Sequence, residues 1–256
     1  MHNIFDSHAH YDDESFDGDR NEVLAALPEE GICGVVNCGV DIATSKRSLQ
    51  FAEQYDYIYA ACGFHPHESA QITDSDCADL YELLWHKRCV AVGEIGLDYH
   101  YDFSPREVQL RLFETQLKIA KELDKCVIVH DREAHEDTLR LLKQYRPKGV
   151  LHCYSGSVEM AREILKLDMY IGLGGAVTFK NAKKPLAVAA FVPEDRLLVE
   201  TDAPYMTPVP FRGQRCDSRH IRYTAQKLAE VRGVETQALL DITHSNARRL
   251  FFGQEL

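Results

Sequence analysis

The sequence predicts an α/β chain folded as a TIM-type (β/α)8 barrel. Eight short β-branched or apolar runs recur along the chain, and stretches of helical period fall between them. Length agrees: 256 residues with 45% hydrophobic composition suit one barrel spanning 1–256, since such barrels take roughly 250 residues. An open doubly wound sheet shares the alternation, but the count of eight favours closure.

In order, the runs are NIFDSH from position 3, GVVNC from 34, YIYAAC from 57, VAVGE from 90, CVIVH from 126, GVLHC from 149, MYIGLG from 169 and RLLVET from 196. Between the fourth and fifth, Val108, Leu112, Thr115, Ile119 and Leu123 recur at spacings of three and four and predict an amphipathic helix. Ser104 is its expected N-cap, with Pro105 in the first position and Glu107 three residues after the cap. Two further helical patterns, 218–232 and 235–250, finish the chain.

Composition excludes several classes. No run reaches the roughly 18 apolar residues of a membrane span, and the amino terminus does not read as a secretory signal. Eight cysteines contain no C-x-x-C pair, which argues against a zinc ribbon or a thioredoxin-like motif. Several sit in apolar runs and read as buried, reduced side chains, so a cytoplasmic location is expected. A net charge of -11 opposes nonspecific coating of nucleic acid, although bound cations would reverse the sign locally. No obligate protein partner is expected.

The polar residues decide the chemistry. In FDSHAH, strict alternation puts Asp6, His8 and His10 on one face. His8 and His10 end the first run, Glu94 the fourth, His130 the fifth and His152 the sixth, and Asp202 follows the eighth. All fall at the carboxyl ends of barrel strands, where active sites form. Any one of them has a bland explanation, such as a hydrogen-bonded core histidine or a turn cap. Four imidazoles and two carboxylates converging there need compensation, which divalent cations such as zinc, manganese or magnesium supply. Six ligands exceed one tetrahedral ion, so two ions are expected, with Glu94 as the bridge.

These residues lie in blocks that resemble the TatD family of metal-dependent hydrolases: DSHAHYD, GFHPH, GEIGLDYH, VIVHDREA, LHCYSGS, ETDAPYMTP and SNARRLFF. The resemblance implies that His8, His10 and Asp202 serve one metal and His130 and His152 the other, with Glu94 shared. It also implies a magnesium-dependent deoxyribonuclease with exonuclease character, acting transiently on DNA or oligonucleotides. Asp202 is then the candidate base for an activated water, with Glu94 as its catalytic companion. His65 and Asp98, in loops on the same rim, are candidates to orient ligands or bind substrate phosphate, with turn capping as the bland alternative.

Asp6 is expected either to hydrogen-bond a ligand imidazole or to pair with a buried base. Lys180, Lys183, Lys184, Arg212 and Arg215 gather in two late loops, where Lys180 and Arg212 are the candidates for gripping phosphate. An amide, lactone or ester hydrolase, or removal of misacylated amino acids from transfer RNA, is the alternative use of the same site. The chain departs from the family in reading Arg215, Cys216, Asp217, Ser218 where arginine, asparagine, a variable residue and proline are usual. Tyr11 stands where leucine is common.

Overall fold

The computed structural model describes residues 1–253. Eight parallel strands form one sheet in chain order: β1 (Ile4–Ala9), β2 (Ile32–Cys38), β3 (Ile58–Cys62), β4 (Cys89–Asp98), β5 (Cys126–Arg132), β6 (Gly149–Leu151), β7 (Tyr170–Leu173) and β8 (Leu197–Val199). The helices are α1 (Arg20–Ala26), α2 (Ile42–Gln54), α3 (Asp74–Leu84), α4 (Arg106–Glu122), α5 (His135–Tyr145), α6 (Val158–Leu165), α7 (Lys183–Phe191), α8 (Ile221–Arg232) and α9 (Thr236–Phe252). The sheet closes just beyond β8. Asp202 N–H donates to His8 O at 3.0 Å and His10 N–H to Ala203 O at 2.7 Å, so the barrel is observed and the open sheet is not. No helix among the described residues is long and apolar enough to cross a membrane.

The strands read as apolar runs because both faces are buried. Inside, Phe5, Val36, Ala61, Ala91, Ile128, Val150 and Leu198 form one cluster, joined by Ala247 and Phe251 of α9. Phe5 and Phe251 stack with ring centroids 6.0 Å apart, so α9 plugs the amino-terminal end of the barrel. Outside, Val92, Val127, Leu151 and Ile171 pack under Leu117, Leu142 and Ile164 of the helices. Each such side chain contributes about 1.5–3 kcal/mol. With an apolar floor, the converging polar side chains are left at the opposite rim.

Two local expectations are corrected. Pro105, not Ser104, occupies the cap of α4. Ser104 is buried; its hydroxyl donates to His67 O at 2.8 Å and accepts Ala70 N–H at 3.0 Å, pinning the loop after β3. The buried face of α4 is also rotated from the apolar stripe, because Gln109 and Gln116 are fully buried while Val108, Thr115 and Ile119 are only half-buried. The Gln116 amide bonds both Phe64 N–H (2.8 Å) and Phe64 O (3.0 Å), and Gln109 does the same at Asp98 (2.9 and 3.1 Å). Hydropathy reads glutamine as surface, yet these two satisfy the backbone of the GFHPH and GLDYH blocks.

All eight cysteines are free, as expected, but only Cys38, Cys62, Cys89, Cys126 and Cys216 are buried, and Cys33 is exposed.

Candidate metal centre

β1 delivers two imidazoles, but not by the strict alternation expected from Asp6. Phe5 faces the barrel interior, and the pairing register of β1 with β2 slips between Asp6 and Ala9. The irregularity breaks the period-two pattern. Asp6 therefore misses the imidazoles and, among the described residues, pairs with no base. Its carboxylate accepts Thr201 N–H (3.0 Å), Thr201 Oγ1–H (2.6 Å) and Ser218 Oγ–H (2.7 Å), tying β1 to the segment after β8.

β4 runs on to Asp98 and carries Glu94 within it. Its path against β5 depends on Gly96, whose φ of 143° suits only glycine and where a Cβ would stand 1.9 Å from His130 O. His130 lies in β5, His152 one residue past β6, Asp202 three past β8, and His65 in the loop after β3.

These side chains meet around Glu94. One oxygen, Oε2, lies 3.3 Å from Nε2 of both His8 and His10, and Asp202 Oδ1 is 3.7 Å from each of the same nitrogens. The other, Oε1, lies 2.8 Å from His152 Nε2, 3.0 Å from His130 Nδ1 and 3.5 Å from His65 Nε2. A single buried carboxylate thus faces two separate donor groups, one with each oxygen. His8 spans both, its ring stacked on His152 at 3.8 Å. All six sequence-predicted ligands are brought together, and His65 joins them.

The remaining ring nitrogens set the tautomers. His10 Nδ1 donates to Cys38 O at 2.8 Å, freeing Nε2 as a lone pair. His130 Nε2 faces Asp98 Oδ2 at 3.2 Å, which leaves its Nδ1 lone pair toward Glu94. His65 is the opposite case: its Nδ1 accepts His67 N–H at 3.2 Å, so in the neutral ring Nε2 carries hydrogen and is a donor.

Sequence reasoning missed three contributors. Cys38 acts through a carbonyl, which no side-chain pattern reports. His67, within GFHPH, bonds Asp98 at 2.9 Å. Glu200 is wholly buried behind His152, with Oε1 taking Cys153 N–H. The ETD block holds its only signal.

Electrostatics mark the cluster as built for cations. Burial raises Glu200 to about 8. Burial also opposes ionisation of Glu94, but His152, His65 and His8 hold its carboxyl well below the usual range. Burial, reinforced by His152, lowers His8 to about 3. At His10 burial is outweighed by Glu94, Asp12 and Asp202, lifting it to about 10; at His130 Asp98 and Glu94 likewise lift it to about 9. Among the described residues no lysine or arginine pairs with Glu94, Asp98, Asp202 or Glu200. His152 Nδ1 and Glu200 Oε2 are buried without a hydrogen bond among the described residues, although Nδ1 lies 3.7 Å from Glu200 Oε1. Crowded imidazoles around buried carboxylates that no lysine or arginine neutralises fit a divalent metal.

The basic residues divide. Arg215 is spent on Asp19, at 2.6 and 2.7 Å, and on the Phe16 ring. Arg212 is exposed and lies 3.8 Å over Phe179, the neighbour of exposed Lys180, while Lys183 and Lys184 open α7. Arg212 thus packs on the loop that carries Lys180, and among the described residues neither has a hydrogen bond or ion pair with the histidines.

A cleft of about 760 Å³ lined by Arg215, Arg219 and Arg222 lies apart from the cluster, and these arginines are paired with Asp19, Asp217 and Glu30. The departures at 11 and 216–218 are internal. Ser218 N–H donates to Tyr11 Oη at 2.8 Å, Asp217 caps the turn that follows it, and Cys216 is fully buried.

Comparison with known proteins agrees with this geometry. The family model described as TatD related DNase matches residues 5–252. The Bacillus subtilis (strain 168) protein named uncharacterized metal-dependent hydrolase YabD is 43% identical over 251 residues, covering 97% of this chain and 98% of its own. A protein of Edwardsiella piscicida named 3'-5' ssDNA/RNA exonuclease TatD is 35% identical over 245 residues, 92% and 94% of the two chains. The crystal structure of YJJV, a TatD homolog from Escherichia coli K12, superposes with a TM-score of 0.91 at 33% identity over 97% of this chain and 98% of that one. A histidine-rich rim centred on one buried glutamate, on a barrel matched end to end by these proteins, makes the chain a member of the TatD family of metal-dependent hydrolases.

Proposed function

We propose that this centre holds two divalent cations and hydrolyses phosphodiester bonds of single-stranded DNA from an end. The observation that carries the reading is the split presentation of Glu94, with Oε2 toward His8, His10 and Asp202 and Oε1 toward His130 and His152. Cations held there lower the pKa of water and neutralise charge on a phosphoryl group. Asp202 is the base that takes the proton of the attacking water. Its side chain is 17% exposed against 4% for Glu94, so it is the more solvent-accessible carboxylate of the pair. His65, a donor at Nε2, hydrogen-bonds a phosphoryl oxygen rather than ligating. Asp98 fixes His130, while Lys180 and Arg212 hold the more distant strand. Relatives named 3'-5' ssDNA/RNA exonuclease support the substrate class.

The test is metal-loaded protein offered a 3′-labelled single strand, a small phosphodiester and an amide. Stepwise shortening of the strand is expected, and turnover of the amide alone overturns the reading. Glu94→Gln is expected to bind one equivalent of metal fewer and to lose most turnover while remaining folded. Full activity in that variant removes the bridging role.

A further inference from the structure

Beside the metal centre lies a group of rings that the hydrolytic reading does not use. Tyr101 and Phe103, in the segment between β4 and α4, are 48% and 68% exposed, unusual for side chains this apolar. Their rings are stacked, 22° from parallel with centroids 5.2 Å apart. His67 packs edge-on against both, 4.8 Å from Phe103 and 5.5 Å from Tyr101. The Arg132 guanidinium, at the end of β5, sits 4.6 Å over Tyr101. The rings are held rather than loose: His67 is fixed by Asp98, and Asp98 accepts Tyr101 N–H at 2.9 Å. The same Asp98 holds His130, whose ring centroid is 6.3 Å from that of His67. One carboxylate therefore ties the aromatic group to the hydrolytic cluster.

We propose that Phe103, Tyr101 and His67 form a stacking platform for the nucleobase of the nucleotide whose phosphate is at the metal centre, with Arg132 at its edge. The proposal rests on the phosphodiesterase reading and names what that site recognises next to the bond. Phe103 offers an open, flat π-surface. Bases stack on such surfaces whatever their identity, so the platform is sequence-tolerant, and Arg132 adds a cation to the stack. A base inside a duplex is already stacked and paired, and freeing it costs energy, so an unpaired end is favoured over a blunt duplex.

The test measures binding by anisotropy, to metal-loaded protein, of a 5′-fluorescein-labelled dT6 with cleavage-resistant phosphorothioate linkages and of the same strand with an abasic 3′-terminal residue. Wild-type protein is expected to prefer the base-bearing strand by roughly tenfold. Phe103→Ala should bring that ratio close to one, and Phe103→Trp should restore it. Because Phe103 is largely exposed, neither variant threatens folding. A ratio unchanged by Phe103→Ala, or no measurable binding of either strand, overturns the platform. If the ratio behaves as expected but metal-loaded wild type leaves the phosphodiester forms of both strands intact, the platform stands and the phosphodiesterase reading falls.

Discussion

At the residue scale, the two departures from the family pattern explain each other. Proline has no N–H, whereas Ser218 has one, buried, and needs an acceptor. Tyr11 supplies it at 2.8 Å and returns a hydrogen bond to Ser218 Oγ at 2.7 Å, while that hydroxyl donates to Asp6. A leucine at 11 would leave the N–H unsatisfied. Tyr11→Phe is therefore expected to lower stability by about 1–3 kcal/mol in denaturant unfolding. In a Ser218→Pro background it should cost markedly less, and equal costs would deny the coupling. Asp98 acts at the same scale. Asp98→Asn presents a neutral amide to His130 Nε2 and weakens the preference for hydrogen there. Metal affinity, measured by competition with a chelator, is expected to fall about 10–100-fold.

At the scale of elements, the site depends on residues that hydropathy misreads. Gln109 and Gln116 look like surface helix positions, but they hold the backbone of two rim loops, so α4 positions the chemistry as well as covering the sheet. Gly96 lets β4 lie against His130, where a Cβ would collide with backbone. Gly96→Ala is thus expected to spoil the site more than the fold. Metal binding should weaken while the circular dichroism of the barrel persists, and undiminished metal binding would show that the strand can shift without moving His130. The register slip in β1 belongs here too. It sends Asp6 to the β8 side and His8 inward, an outcome that strict alternation could not foresee.

At the scale of the whole molecule, the barrel gathers so many ionisable groups that pH, metal and stability are linked. In the metal-free protein His10 is raised to about 10 and His130 to about 9. A histidine raised above its unfolded value of roughly 6.5 gives stability that is complete below that pH and lost as pH climbs toward the folded value. Glu200, raised to about 8, loses stability in the same direction. Metal-free protein should therefore melt at progressively lower temperature from about pH 6.5 to 10. Metal must displace the same protons, so the stabilisation it adds should grow over that window, with proton release visible as a buffer-dependent binding enthalpy. A metal-induced shift that shrinks with rising pH would contradict this assignment.

The sequence by itself determined the eight strands, the barrel and the six residues that converge on its rim, because strand and helix periods are local and a barrel puts every strand end in one place. The same locality limited it. Glu94 as the hub of two donor groups, the Cys38 carbonyl behind His10, the donor role of His65 and the pairing of Tyr11 with Ser218 all join positions 28 to 207 residues apart or depend on which ring nitrogen is already bonded. Only the closed structure brings those partners within hydrogen-bonding distance, and such distances, not composition or spacing, fix which atom is left free.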